Sequence, residues 1–189
     1  MKRKTLLVVL LFSAVMLLSK EIEGVFFPDT LESDGKKLVL NGVGLRLKKV
    51  LMLEVKVYAG GLYLEQKNQS PKEILGDDKA KAVVMHFLYK KVESEKLREA
   101  FVEGFEANCP AEAKKLKPQI DKFLAFWPEM LKDDQARLIY VPEVGTRVII
   151  KGREAGLIEG PQFAKLLFSI WLGPKPPNQE LKTGMLLGS

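Results

Sequence analysis

The 189-residue sequence contains only one cysteine and one histidine. These low numbers exclude an intrachain disulfide and a structural zinc site. Cys109 cannot form an intrachain disulfide without a second cysteine, so the core must be stable without a covalent bridge. Cys109 and His86 together fall short of the Cys and His ligands that a structural zinc site needs. We therefore expect no metal and no cofactor. His86 lies in the apolar run VVMHFLY and is interpreted as a structural residue of a strand.

The sequence also lacks a basic patch of the kind that binds nucleic acids. The formal charge is +6, but the 30 Lys and Arg residues are interspersed with 24 Asp and Glu residues rather than clustered with aromatic side chains. We expect no nucleic-acid partner. Part of the positive excess is confined to Lys2, Arg3 and Lys4 at the N-terminus.

The N-terminus has the anatomy of a signal peptide. The basic MKRK precedes the apolar run TLLVVLLFSAVMLL, which is shorter than the roughly 20 apolar residues of a membrane span. We predict that residues 1–19 are a signal peptide cleaved near Ser19, that the protein is periplasmic, and that no stable membrane insertion follows cleavage. The mature charge would then be about +3, because three basic residues are removed. An uncleaved anchor is the alternative, since no small-x-small cleavage pattern is present.

The remaining residues, 20–189, are predicted to form one domain and a monomer, because the length and the 47% hydrophobic content suit a single core. Runs rich in β-branched and aromatic residues predict strands. These runs are VFFPDTL, KLVLNGVGLRL, LEVKVYAGGLYL, KAVVMHFLYK, ARLIYV and TRVIIKG.

Helical patterns stand between and after the strands. SEKLREAFVEGFEANC has apolar residues at four-residue spacing, with Ser94 as a candidate N-cap. AEAKKLKPQIDKFLAFWPEML is expected to break near Pro118, and GPQFAKLLFSIWLG begins with Pro161 and ends at Gly173. NQELKTGMLLG predicts a short final helix. This order favours an α+β fold, an antiparallel sheet with helices packed on one face.

Arg46 in NGVGLRLKKV allows two interpretations. Strand alternation places Arg46 with Lys48, and Tyr58 with Glu54 and Lys56, on faces that would be solvated. If the chain instead reverses near residue 52, Arg46 and Tyr58 lie opposite each other in a hairpin, and a guanidinium meets a phenol. The segment VLML contains no Gly, Asn or Asp, so the sequence does not specify a tight turn there.

The chain resembles the chalcone isomerase-like proteins over most of residues 20–189. The resemblance is carried by GVFFPDTL, LNGVGLRLKK, VKVYAGGLYLE, FEANC and FSIWLGPKPPNQELKTGMLLG. It implies an open-faced β-sandwich with a ligand cleft between the sheet and the helices. The family includes enzymes that close chalcones to flavanones, plastid fatty-acid-binding proteins and exported bacterial members.

The resemblance also assigns site positions. It implies that Arg46 matches the catalytic arginine and Asn108 the catalytic asparagine, whereas Phe101 and Ile170 stand where the enzymes have hydroxyl side chains. Tyr58 replaces a threonine. Without the hydroxyls that position water and substrate, cyclisation should be poorly catalysed, so we assign no catalytic residue.

The Arg46 and Tyr58 pair instead resembles the carboxylate-binding pair of the fatty-acid-binding branch. An arginine can meet a carboxylate with two hydrogen bonds, and a phenol can add a third. Aromatic and aliphatic residues of the helices are candidates for the cleft lining or simply for the core: Phe101, Phe105, Phe163, Ile170 and Trp171. We predict a non-catalytic periplasmic protein that binds a fatty acid or a similar amphipathic carboxylate. An isomerase or lyase of unknown substrate, and a membrane-proximal interaction module, remain alternatives.

Overall fold

A large curled antiparallel sheet organises the chain. The computed structural model describes residues 19–187, and the predicted signal peptide lies outside the described residues except for Ser19. The strands are β1 (Ser19–Ile22), β2 (Val25–Pro28), β3 (Thr30–Ser33), β4 (Lys36–Val50), β5 (Leu53–Leu64), β6 (Lys81–Phe87), β7 (Lys91–Val92), β8 (Met130–Leu131), β9 (Gln135–Val141), β10 (Gly145–Ile150) and β11 (Arg153–Ile158). Seven of them form one sheet in the order β11-β10-β9-β6-β5-β4-β3, while β1 pairs with β2 and β7 with β8.

The helices are α1 (Pro71–Gly76), α2 (Ser94–Asn108), α3 (Pro110–Lys115), α4 (Lys117–Ala125), α5 (Pro161–Leu172) and α6 (Gln179–Leu186). The predicted break occurs at Leu116, directly before the first turn of α4, which contains Pro118. The capping prediction for Ser94 is wrong: Glu93 is the N-cap, and the Ser94 hydroxyl donates to the Trp127 carbonyl at 2.7 Å. Within residues 19–187, no helix has the length and apolar character needed to cross a membrane.

The two faces of the sheet are covered differently. One face packs against the helices in a large apolar core that contains Phe105, Phe123 and Trp171. The opposite face has a smaller core, in which Phe27 of β2 packs against the sheet and Tyr63 donates to the Pro28 carbonyl at 2.9 Å. The predicted α+β arrangement, with helices on one face of an antiparallel sheet, is confirmed.

Glycines of β4 let the C-terminal helix approach the sheet closely. Gly42 and Gly44 face α6, and a Cβ at Gly44 would lie 2.5 Å from the carbonyl oxygen of Leu181. Gly184 of α6 meets the Val43 carbonyl in the same way. Backbone atoms on both sides of this contact leave no room for a side chain, which explains the glycines in NGVG.

Gly44→Ala is expected to lower the free energy of unfolding by about 1–3 kcal/mol, because the added methyl forces α6 away from β4. Thermal or urea unfolding measures the change. Gly76→Ala is the control, since nothing lies within 4 Å of a Cβ there and the backbone φ is not positive. Equal stability of the two variants would contradict the close packing of α6 on β4.

Candidate ligand-binding site

A cavity of about 270 Å³ opens between the stem of the β4–β5 hairpin, helix α2 and the segment after α5. This volume lies near the lower end of the roughly 300–1,000 Å³ that is typical of small-molecule sites. The lining residues are Arg46, Lys48, Val57, Tyr58, Met85, Val92, Lys96, Leu97, Ala100, Phe101, Glu103, Gly104, Ala107, Ile170, Trp171, Lys175 and Pro177.

A β-bulge brings Arg46 and Tyr58 together in this cavity. From the turn upward, Val50 pairs with Leu53 and Leu47 with Lys56, a register that would place Val57 opposite Arg46. The register shifts between Arg46 and Leu47, so Arg46 pairs with Tyr58. The extra residue also breaks the alternation of β5, because Val57 and Tyr58 both line the cavity. The interpretation of Tyr58 as a solvated residue is therefore wrong.

Asn178 holds the backbone of β4 on both sides of Arg46. Its side-chain amide donates to the Leu45 carbonyl at 2.9 Å and accepts from the Leu47 amide at 3.2 Å. These bonds occupy backbone groups of β4 beyond the end of β3, which pairs only as far as Val39. A side chain just before α6 thus fixes the position from which Arg46 enters the cavity.

The hydroxyl of Tyr58 is buried and only partly used. The indole nitrogen of Trp171 donates to it at 2.9 Å, and no acceptor for the Tyr58 proton is found among residues 19–187. Burial raises the pKa of Tyr58 to about 12, although the Trp171 hydrogen bond and the nearby Arg46 charge oppose that rise. Tyr58 is therefore a neutral donor at physiological pH, with its proton available to a ligand.

The buried Tyr58 should make stability fall at high pH. Its pKa is about 12 in the folded protein against 10.0 unfolded, so its contribution is fully present below pH 10 and is lost as the pH rises through 12. Two pKa units correspond to roughly 3 kcal/mol. Urea unfolding across this pH range should show that the wild type loses free energy of unfolding as the pH rises. The Tyr58→Phe variant should lose about 3 kcal/mol less. Parallel losses in the two proteins would contradict the assignment.

The cavity is rich in positive charge. Arg46, Lys48, Lys96 and Lys175 line it against one carboxylate, that of Glu103, among the lining residues that the structure describes. Lys96 is paired with Glu99 at 2.8 Å, outside the lining. The Arg46 guanidinium donates to the Leu47 carbonyl and has no Asp or Glu partner within residues 19–187. The balance of charge and the unused donors favour an anionic group in the cavity.

The other predicted site residues are divided between the lining and its support. Phe101, Ile170 and Trp171 line the cavity, as does Tyr58. Asn108 does not: its amide donates to the carbonyls of Gly104 and Lys175 at 3.0 Å and accepts from the Lys175 amide at 2.9 Å. Asn108 thus fixes the end of α2 to the segment after α5.

Phe105 and Phe163 also lie away from this cavity. Both are buried in the aromatic core, where their ring centroids are 6.4 Å apart. Phe105 additionally borders a separate groove of about 550 Å³ on the outer side of α2, α3 and α4. The groove is not lined by Arg46, Tyr58, Phe101, Asn108, Ile170 or Trp171. The interpretation of these two phenylalanines as core residues is the one that the structure supports.

Sequence reasoning missed four functional candidates. Lys96, Glu103 and Lys175 enter the lining from α2 and from the segment after α5, and Asn178 supports Arg46. Lys96 and Glu103 are seven residues apart on α2, a spacing that places them on one helical face with Phe101 nearby. Within residues 19–187, no three His, Cys, Asp or Glu side chains lie close enough to hold a metal ion. His86 lies on β6, with its Nε2 3.6 Å from Asp133.

The fold and the site define an open-faced β-sandwich that holds a small cavity between its sheet and its helices. The chain belongs to the chalcone isomerase-like family, whose model matches residues 19–187. A fatty-acid binding protein from Arabidopsis thaliana has a similar crystal structure, with a TM-score of 0.70 and 20% sequence identity over 89% of this chain and 96% of that one. No curated protein sequence matches the chain.

Proposed function

We propose that this protein binds a fatty acid or a similar amphipathic carboxylate, without catalysis, in the cavity beside Arg46. The observation that carries the proposal is the pairing of Arg46 with Tyr58, both with donors that the protein leaves unused. A guanidinium can give two hydrogen bonds to a carboxylate and the phenol a third. The structural similarity to a fatty-acid binding protein supports this choice of ligand class.

The apolar part of the lining would receive the ligand tail. Leu97, Phe101, Ile170 and Met85 supply apolar surface deeper than the charged residues. Each buried methylene contributes about 0.8 kcal/mol, so roughly ten of them contribute on the order of 8 kcal/mol before ordering costs are subtracted. The carboxylate contacts with Arg46 add about 2–5 kcal/mol, which offsets much of the ordering cost. We therefore expect a dissociation constant in the micromolar range.

The direct test is the identity of co-purified ligand. The protein is produced with its own N-terminal segment and extracted with organic solvent, and the extract is analysed by mass spectrometry. We expect fatty acids in near-stoichiometric amounts, and fewer in Arg46→Ala prepared in parallel. An extract free of amphipathic acids, together with no binding in titrations with added fatty acid, would refute the proposal.

We also propose that the protein acts in the periplasm after cleavage of its signal peptide. The basic MKRK and the short apolar run that follows support this location. Protein recovered from the periplasm should have an intact mass lower by residues 1–19. Full-length protein that fractionates only with the membrane would contradict it.

A second candidate function is an isomerase or lyase reaction, and one observation favours it. Glu103 lines the same cavity as Arg46, so a carboxylate is present that could accept a proton. The positions of Phe101 and Ile170 still lack hydroxyl groups. Assays with a chalcone substrate distinguish the candidates: turnover at about 1 per second or faster, abolished in Glu103→Gln, would establish an enzyme.

A further inference from the structure

The tip of the β4–β5 hairpin, residues 50–53, carries four consecutive apolar side chains in solvent. The exposed fractions are 48% for Val50, 98% for Leu51, 99% for Met52 and 72% for Leu53. β6 pairs with β5 only from Tyr58 onward, so the hairpin extends beyond the neighbouring strand. Leu53 lies five positions beyond Tyr58, which corresponds to roughly 17 Å of strand. The tip therefore projects from the body of the protein.

The backbone conformation of the tip is also one that its residues do not favour. Val50 pairs with Leu53, which leaves Leu51 and Met52 as a two-residue turn, and Leu51 has φ of 57°. A positive φ at the first turn position alone is typical of a type II′ turn, where glycine is strongly preferred. Leu51 makes no buried contact that offsets this conformation, since its side chain is almost fully exposed. An apolar residue at such a position points to a role outside the folded chain.

Basic residues surround the base of the tip. Residues 46–56 contain four basic side chains, Arg46, Lys48, Lys49 and Lys56, and one acidic side chain, Glu54. Arg46 lines the cavity and Lys56 is paired with Glu23 at 2.7 Å, so Lys48 and Lys49 are the lysines available to a headgroup. The loop after β6 reaches the same end of the sheet, because the Leu88 amide donates to the Val57 carbonyl at 2.9 Å. That end also carries the partly exposed Tyr89 and Leu131, so it holds six of the eight large exposed apolar side chains of residues 19–187.

We propose that residues 50–53 dock reversibly on a membrane surface that contains anionic lipids. The apolar side chains would enter the interfacial region, and the lysines behind them would contact the headgroups. Lysine suits this position because its apolar stem can lie along the interface while the ammonium meets a phosphate. Four side chains are too few for a stable protein interface, which typically uses about 20–30 residues on each side.

This docking goes beyond the proposed ligand and does not depend on it. It would bring the cavity close to the lipid surface, because Lys48 lines the cavity only two residues before the tip begins. A protein that exchanges amphipathic acids with a membrane gains from such an arrangement, but membrane docking and ligand binding are separately measurable.

The principal test uses the double variant Leu51→Gly, Met52→Asn. Glycine suits the positive φ at position 51, so the turn is retained while its apolar side chains are removed. Complete chains of wild type and variant are purified in the same N-terminal form, verified by intact mass, and sedimented with vesicles of phosphatidylcholine and phosphatidylglycerol. We expect the variant to bind at least about tenfold more weakly, and wild-type binding to fall at high salt and on pure phosphatidylcholine vesicles.

A labelled site makes the result independent of the N-terminal segment. Met52→Cys is prepared with Cys109→Ser and coupled to an environment-sensitive fluorophore, and Lys36→Cys at the opposite end of β4 is the matched control. Anionic vesicles should shift the emission of the label at position 52 to the blue and leave that at position 36 unchanged. No shift at position 52, or a shift that grows with protein concentration in the absence of lipid, overturns the proposal, the second result by indicating self-association.

Fatty-acid titration separates this inference from the proposed function. The Leu51→Gly, Met52→Asn variant should bind fatty acid with unchanged affinity, whereas Arg46→Ala should still dock through its intact tip. Undiminished vesicle binding by the double variant would refute tip docking and leave the ligand proposal standing. Loss of ligand binding in that variant would refute the separation of the two sites.

Discussion

Arg46→Ala should weaken fatty-acid binding by thirty- to several-thousand-fold. Without the guanidinium, a bound carboxylate is left in a partly buried cavity lacking its principal counter-charge, which typically costs about 2–5 kcal/mol. Isothermal titration with a medium-chain fatty acid measures the change. The unliganded variant should melt like the wild type, because Arg46 is half-buried and forms no salt bridge within residues 19–187.

Two matched variants sharpen this test. Tyr58→Phe removes one hydrogen bond to the charged group and should cost about 1.5–3 kcal/mol of binding free energy, less than Arg46→Ala. Lys49→Ala removes a positive charge from the same strand but from outside the lining, so it should bind with nearly wild-type affinity. Equal affinity in the wild type, Arg46→Ala and Tyr58→Phe would show that the Arg46–Tyr58 pair binds no carboxylate.

Phe101→Ala should give the largest loss of stability among changes at the site. The ring of Phe101 is buried and lies 4.7 Å from Trp127 and 4.9 Å from Phe123 between centroids, with two further aromatic rings around it. Removing a buried phenylalanine costs about 3–5 kcal/mol. At about 2–4 °C per kcal/mol for a domain of this size, Tm should fall by roughly 10 °C.

The matched control for Phe101→Ala is Phe26→Ala, whose side chain is largely exposed and whose loss should change stability by less than about 0.5 kcal/mol. Calorimetry of both variants without ligand distinguishes the two roles of Phe101. If Phe101 served only to contact a ligand, the unliganded variant would keep its stability. A large loss shows that one ring both lines the cavity and stabilises the core.

Local patterns predicted most of the longer strands and helices, and the resemblance predicted the family, but neither was informative where distant segments meet. β4, β5, α2 and α5 all follow from alternation, helical spacing and the Pro and Gly at helix ends. β11, with the sequence REAGLI, was not predicted, because its single Gly and three charged or small residues weaken the strand pattern.

The pairing of Arg46 with Tyr58 shows how a correct prediction can rest on incomplete reasoning. Symmetry about residue 52 placed the two residues opposite each other, but the turn is centred between Leu51 and Met52. An unbroken ladder from that turn would set Val57 against Arg46, and the bulge restores the pairing. A bulge depends on the twist and the packing of the whole sheet, so the local sequence did not reveal it.

The charged residues of the cavity lining could not be predicted from the sequence either, because they come from segments that are far apart in the chain. Lys175 and Asn178 reach β4 across more than 120 residues of chain, and only the packing of α5 and α6 brings them there. The resemblance placed Asn108 among the ligand-binding residues, and the structure contradicts this, because its side chain contacts Gly104 and Lys175 and does not line the cavity.

The close approach of α6 to Gly42 and Gly44 has a consequence for the order in which the chain folds. The β4 glycines and helix α6 are about 140 positions apart in the sequence. Their contact therefore forms only after α6 has been synthesised and has packed against the sheet. Until then the apolar partners of Leu181 and Met185 remain open to solvent. A chain that ends before residue 178 lacks both the final layer of the core and the Asn178 support of Arg46. We therefore expect such a chain to be degraded by proteases rather than to accumulate in a folded form.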